Sequence, residues 1–335
     1  MLDVASDAES ISGGVRILNE IGCAEKGETM SVTAKVSIVQ SDQRPTGIRS
    51  AIELLGNERP AFASQAIMLK PNFNSADPFP ASSHNDTVEA IIRFLQEADA
   101  TSITVAERSG GSAKSHEVAD KKGVRALFDA LGAAYVVLDD LAPEDWVALP
   151  LNGSHWKKGI EFPRLYLNAE SIVMTCCLKT HGFGGHFTMS LKNAVGLVPR
   201  VSPSDGHEYM KELHTSPHQR SMIAEINQAF EPSLVILDAL SAFSTGGPSQ
   251  GTLVHPGLIL ASTDRVAIDA VGVAILRTYE TTPEVLKGRI FQQEQIQRAV
   301  ELGLGVFSPA DIELVAAPDA SSQHWAQRIR TLLEE

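Results

Sequence analysis

A chain of 335 residues with 43% hydrophobic and 21% charged residues has enough length and apolar content for one large α/β unit or two modest lobes. Its formal net charge of -13 argues against duplex nucleic acid and anionic membrane as partners, since both are bound through an excess of lysine and arginine; any anion must be held by a local basic cluster. The three cysteines, Cys23, Cys176 and Cys177, show no CxxC and no zinc spacing, which excludes a disulfide framework and leaves the cytoplasm as the expected compartment.

Residues 1–30 start acidic and lack the basic and apolar regions of a signal peptide, so they read as a leader without function. The β-rich run 31–40 opens the main domain, expected over 31–320. A Pro-, Gly- and Lys-containing stretch near 149–158 divides it into two candidate lobes, 31–150 and 151–320, and a C-terminal helix is expected over 321–335. Strand-like runs follow at Ala66–Lys70, Ser102–Glu107, 135–139, 171–177, 233–238 and 257–262. Amphipathic segments alternate with them. One starts after Asn85, with Asp86 and Glu89 as a capping box ahead of Val88, Ile91, Ile92 and Leu95. Another runs over 121–131 and stops at Gly132, and a third spans 263–278 with Thr263 as N-cap. This alternation predicts a mostly parallel β-sheet flanked by helices, a three-layer αβα fold. The Gly-, Ser- and Pro-rich stretch 241–256 reads as an ordered loop near the site, and no run is long and apolar enough to span a membrane.

Ligands of open parallel sheets bind beyond the carboxyl ends of the strands, and those positions are polar here. Lys70 and Asn72 follow one run; Glu107, Arg108 and Ser109 follow the next; Lys179 and His181 follow the third; Asp238 ends the fourth. Each residue taken singly is an ordinary cap or surface turn, whereas together they describe one crevice. The segment from Cys177 to Pro199 adds Gly184, Gly185, His186, Lys192 and Asn193, a mixture that core packing does not require. A glycine turn leading into a helix would aim backbone N–H groups at an anion. Ser109 opens a glycine-serine loop that lacks the spacing of a phosphate-binding P-loop. His207, His214 and His218 read as surface or lid histidines, with Pro217 interrupting any helical zinc pair, and Cys176 and Cys177 read as core residues.

These residues also carry a resemblance. Leu69-Lys70-Pro71-Asn72, the Glu107 strand end, Lys179-Thr180-His181, Ser190-Leu191-Lys192-Asn193, Asp238 with the Gly246-Gly247-Pro248 loop, and the stretch from Ser262 to Asp269 resemble the family named domain of unknown function 362. The likeness covers roughly residues 35–305. A looser one, over Lys179 to Lys192, is to the nickel-dependent lactate racemases. It implies an acid/base role for His181 and a cofactor anchor at Lys192, although Ser190-Leu191 stands where that motif has two glycines.

The residues and the resemblance together point to an enzyme doing racemase-, epimerase- or lyase-like acid/base chemistry on a small anionic hydroxy or carboxylic acid. His181, Lys179 and Glu107 are its expected catalytic groups. Lys70, Asn72, Ser109, Gly184, Gly185, His186, Lys192 and Asn193 are expected to bind substrate or cofactor. Asp238 and Asp269 are the expected ligands of a divalent metal, nickel being the one the resemblance implies, and a nucleotide-like cofactor and a homo-oligomer are both compatible with the chain. The alternative is a non-catalytic anion- or cofactor-binding protein, or a redox accessory protein, using the same crevice.

Overall fold

The computed structural model describes residues 33–335; the leader expected over 1–30 and Cys23 lie outside the described residues. Twelve strands occur in that range: β1 Ala34–Gln40, β2 Ala66–Lys70, β3 Ser102–Glu107, β4 Ala134–Val137, β5 Trp146–Leu149, β6 Ile160–Pro163, β7 Ser171–His181, β8 His186–Thr188, β9 Leu234–Gly246, β10 Gly251–Val254, β11 Leu258–Ser262 and β12 Ile312–Ala316. The main sheet has the order β12-β1-β11-β9-β7-β2-β3-β4, with β8 and β10 attached as hairpin arms to β7 and β9; β5 and β6 pair separately. Strands β9, β7, β2, β3 and β4 run parallel, as do β1 and β12, while β11 runs against both of its neighbours. Strands from both sides of residue 150 thus stand side by side, with β7 between β2 and β9.

Alternation along the strands feeds two cores. Ile172, Met174, Cys176, Val235 and Leu237 pack on one face, against the helix Arg265–Arg277 and its neighbours. Val173, Leu234, Ile236, Leu69 and Val105 pack on the other, against the helices Arg44–Glu53, Asn85–Glu97 and Val124–Leu131. Helices therefore cover both faces of a mostly parallel sheet, the three-layer α/β arrangement that the alternation of runs predicts.

The boundaries differ from expectation where side chains, rather than hydrophobic runs, decide them. The helix Asn85–Glu97 is capped by His84, whose Nδ1 accepts from the Asp86 N–H at 3.1 Å. The helix Arg265–Arg277 is capped by Asp264 rather than Thr263; its Oδ1 accepts from the N–H groups of Val266 and Ala267 at 2.7 and 2.8 Å. The stretch expected as one helix over 121–131 is two, Ser115–Lys122 and Val124–Leu131, broken at Gly123 in the left-handed conformation with φ of 65°. Strand β7 runs to His181 and β9 to Gly246, well past their apolar stretches, because each is prolonged by a hairpin partner that supplies backbone hydrogen bonds without needing apolar side chains. Much of the loop expected over 241–256 is therefore the β9–β10 hairpin. No helix among the described residues is long and apolar enough to cross a membrane.

Candidate functional site

Strand β2 ends at Lys70 and its neighbour β3 ends at Glu107, on the same edge of the sheet. Lys70 pairs with Met174 of β7, so Lys179 and His181, further along β7, overhang that edge. A cavity of about 450 Å³ opens there. Lys70, Asn72, Glu107, Lys179, His181, Lys192 and Asn193 all line it. Its volume suits a small-molecule ligand.

Burial and pairing distinguish the lysines. The Lys70 ammonium donates to both oxygens of Glu107 at 2.8 Å, to the Pro71 carbonyl at 2.9 Å and to Asn193 Oδ1 at 3.1 Å. Glu107 also accepts from the backbone N–H groups of Phe73 and Arg108, at 3.1 and 2.8 Å, so its carboxylate is fully engaged within the protein. Gly196 permits this packing: a Cβ there would stand 2.6 Å from Glu107 Oε1 and 3.0 Å from Lys70 Nζ. Lys179 donates to the Ala81 carbonyl and, at 3.4 Å, to Asn72 Oδ1. Burial lowers the pKa of Lys70, against the pull of Glu107, and burial likewise lowers that of Lys179.

Lys192 differs. It is partly buried, and among the described residues its ammonium has neither a hydrogen bond nor an ion pair. Burial first, and then the charge of Lys179, bring its pKa down to about 8. His181 stands beside it: a Cβ placed on Gly185 would lie 2.8 Å from Lys192 Cε and 3.0 Å from His181 Nδ1, so this glycine leaves room for both. Burial, followed by the repulsion of Lys192 and Lys179, pushes the His181 pKa far below its usual value, so the ring is neutral in the unliganded site. Its Nδ1 faces the Phe183 N–H at 3.3 Å, which assigns the ring proton to Nε2.

The cavity lining contains four cationic side chains, Lys70, Arg108, Lys179 and Lys192, against one carboxylate, Glu107, which Lys70 already neutralises. In a chain of net charge -13 this is a local excess of positive charge, and it favours an anion. Arg108, its pKa lowered to about 10 chiefly by burial, donates to the Ser109 and Val195 carbonyls at 2.9 Å. Its Nε and the hydroxyl of Thr188 are buried without a protein partner.

The remaining expected site residues lie outside the lining. Ser109 is buried beneath it, donating to the Phe73 carbonyl at 2.9 Å. Gly184, at φ 78°, and Gly185 shape the β7–β8 hairpin, and His186, at φ 62°, has Arg220 as its leading charged neighbour. Asp238 is held by Arg44 Nε at 2.8 Å and Thr87 Oγ1 at 2.6 Å. Asp269 accepts from the Ser190 N–H and hydroxyl at 2.8 and 2.6 Å and from the Leu191 N–H at 3.0 Å. This contact also corrects the expectation that the glycine turn leads into a helix aimed at an anion. The turn instead closes a β-hairpin, with His181 opposite His186, and the following helix, Ser190–Asn193, is four residues long with its first N–H groups engaged by Asp269.

The donor set does not fit a metal ion held by protein ligands. Both expected ligands are engaged elsewhere, and among the described residues no group of three or more His, Cys, Asp or Glu is placed to bind one. The histidines expected at the surface separate: His207 bonds Glu212 at 2.5 Å, His218 stacks on His155, and His214 lines the cavity. Arg108, expected in the crevice from its strand end, also lines it; Thr188, Met210, His214, Pro248 and the exposed Phe183 do so too, and none of these five was among the expected site residues. The Gly246-Gly247-Pro248 loop was a sequence signal for one of them; Met210 and His214 come from the helix Tyr209–Thr215, whose approach no local pattern records.

The family model described as domain of unknown function 362 matches residues 67–274. A thylakoid-associated protein of Synechocystis sp. is 26% identical over 217 residues, and the match spans 63% of this chain and 63% of that relative. Among solved structures, the lactate racemase apoprotein from Thermoanaerobacterium thermosaccharolyticum aligns with a TM-score of 0.43 at 10% identity, over 87% of this chain and 85% of that one. A protein from Thermotoga maritima aligns with a TM-score of 0.37 at 13% identity, over 58% and 50%.

Proposed function

Since this chain belongs to the domain of unknown function 362 family, whose description names no reaction, we propose a function from the crevice itself: an enzyme that moves a proton on a small anionic hydroxy or carboxylic acid. The observation that carries the reading is a neutral imidazole, His181, beside an unpaired ammonium, Lys192, in a cavity with excess positive charge. Lys179 and Lys192 bind the acid group, while Lys70 and Glu107 hold the floor of the site. Burial is the larger cause of the depressed His181 pKa, and the charges of Lys192 and Lys179 add to it; an anion beside the two lysines screens that second contribution and shifts the histidine pKa upward.

The test is solvent deuterium exchange, followed by NMR, on a panel of small hydroxy acids and sugar acids under reducing, metal-replete conditions. A substrate should exchange a carbon-bound proton, and His181→Gln should slow that exchange by about 10² to 10⁴. Exchange unchanged in rate and pH profile by the substitution removes His181 from the reaction. The second reading, an anion-binding protein without chemistry, is favoured by the full engagement of Glu107, and predicts saturable acid binding with no exchange.

A further inference from the structure

Among the three lysines of the cavity, one has no partner. Lys70 is held by Glu107 and Asn193, and Lys179 by Ala81 and Asn72, whereas Lys192 makes no hydrogen bond or ion pair among the described residues. An ammonium that lines a cavity without a counter-ion is electrostatically unfavourable as a structural cation. The same setting favours a neutral amine, which is a nucleophile.

We propose that Lys192 is a carbonyl-reactive amine that forms a Schiff base with small oxo acids entering the cavity. This deepens, and rests on, the reading of the crevice as a site for small anionic acids, and it narrows the substrate class to acids carrying an aldehyde or ketone.

Four features support it. The cavity of about 450 Å³ admits an acid of a few carbons beside the amine. Lys179 lies near enough to repel the Lys192 charge, and its ammonium has three donors, of which the Ala81 and Asn72 contacts engage two; the third is available to the carboxylate of an oxo acid. Gly185 adds no side chain between Lys192 and His181. The pKa of about 8 leaves about a tenth of the Lys192 amine neutral at pH 7, about three hundredfold more than for an unperturbed lysine. The titratable and charged groups that line the cavity with the amine are Lys179 and His181 of β7, Lys70 of β2, Glu107 and Arg108 at the end of β3, and His214 of the helix Tyr209–Thr215.

The step balances without a redox partner. The Lys192 nitrogen lone pair adds to the carbonyl carbon while the C=O π pair moves to oxygen. Proton transfer from nitrogen to oxygen, through water, gives the neutral carbinolamine. Its hydroxyl then takes one proton from solvent and leaves as water, and the product is an iminium carrying the positive charge that the ammonium held before. The iminium acidifies the adjacent carbon, where a base in the cavity can remove a proton.

The protein is incubated with glyoxylate or pyruvate and sodium cyanoborohydride, which delivers hydride to the iminium carbon, and the adduct is located by peptide mass mapping. The expected result is one adduct per chain at Lys192, formed about tenfold or more faster than at the exposed Lys114 and rising with pH through about 8. Lys192→Arg retains the charge and abolishes that adduct. Mapping of the unsubstituted protein locates the label even if the variant fails to fold. Labelling spread over surface lysines at equal rates, no labelling, or an intact mass of the purified protein showing Lys192 already covalently occupied would each overturn the proposal. Pyruvate that binds and exchanges its methyl protons without being trapped overturns this inference and leaves the acid/base reading standing; trapping of pyruvate without proton exchange on any acid does the reverse.

Discussion

Lys70 and Glu107 are both almost wholly buried, 2.8 Å apart, and each has further hydrogen bonds that complete its shell. Such a pair adds little net stability, yet removal of one member strands the other charge in a poorly solvated place. Glu107→Gln should therefore destabilise the protein by about 3 kcal/mol or more, with Lys70→Met in the same chain restoring a large part of the loss. Urea unfolding of the single and double variants measures this; a single variant as stable as the parent would show that Lys70 finds another counter-charge. At this scale the sequence was informative about the residues that end strands. Lys70, Glu107, Lys179 and His181 each follow an apolar run, so their place on one edge follows from strand polarity. It was silent on engagement: nothing in the spacing distinguishes the tied Lys70 from the free Lys192, because the difference arises from Glu107 and Asn193, far apart in the chain.

Among elements, strands were more legible than their continuations. Ala66–Lys70 and Ser102–Glu107 coincide with their apolar runs because both lie within the sheet, where hydrophobicity and pairing agree. The hairpins beyond β7 and β9 are polar overhangs, and a hydrophobic pattern does not register them. The short helix Ser190–Asn193 was visible but its role was not, since the carboxylate that holds its first turn comes from Asp269 in a different element. Burial raises the pKa of Asp269 to about 6, against the hydrogen bonds that favour its charged form, so it accepts from Ser190 and Leu191 as a carboxylate at neutral pH. Asp269→Asn would set an amide N–H₂ against a backbone or hydroxyl donor, at a cost of about 2 kcal/mol. Because Lys192 follows that turn directly, the variant should also bind anions more weakly. A thermal melt beside a titration with a small acid gives both numbers; unaltered stability would mean that the turn is held by its neighbours and not by Asp269.

For the whole molecule, composition was enough to argue for a locally basic site on an acidic protein, and the structure concentrates those cations at one sheet edge. This arrangement has a consequence for folding stability that runs opposite to the usual alkaline decline. Lys192 releases its proton near pH 8 when folded and near 10.5 when unfolded. Between those values the unfolded chain binds more protons, so stability rises with pH through that window, and the penalty for a charged Lys192 is fully present below it. Burial of Lys70 and Lys179 acts in the same direction. Cys177, raised from 9.0 to about 11, and Tyr209, raised from 10.0 to about 12, act in the opposite sense, because their folded forms hold protons longer, and they oppose the gain above about pH 9. The increase is therefore expected between about pH 8 and pH 9, with about 1 kcal/mol from Lys192 by itself. Lys192→Met removes that share. A saturating small acid removes it too, because an anion beside the ammonium returns its pKa towards the unfolded value and closes the window. Denaturant unfolding at a series of pH values, for both proteins, with and without acid, decides the matter: equal slopes in all four sets would mean that Lys192 is solvated and paired in solution, and that the cavity holds no uncompensated cation.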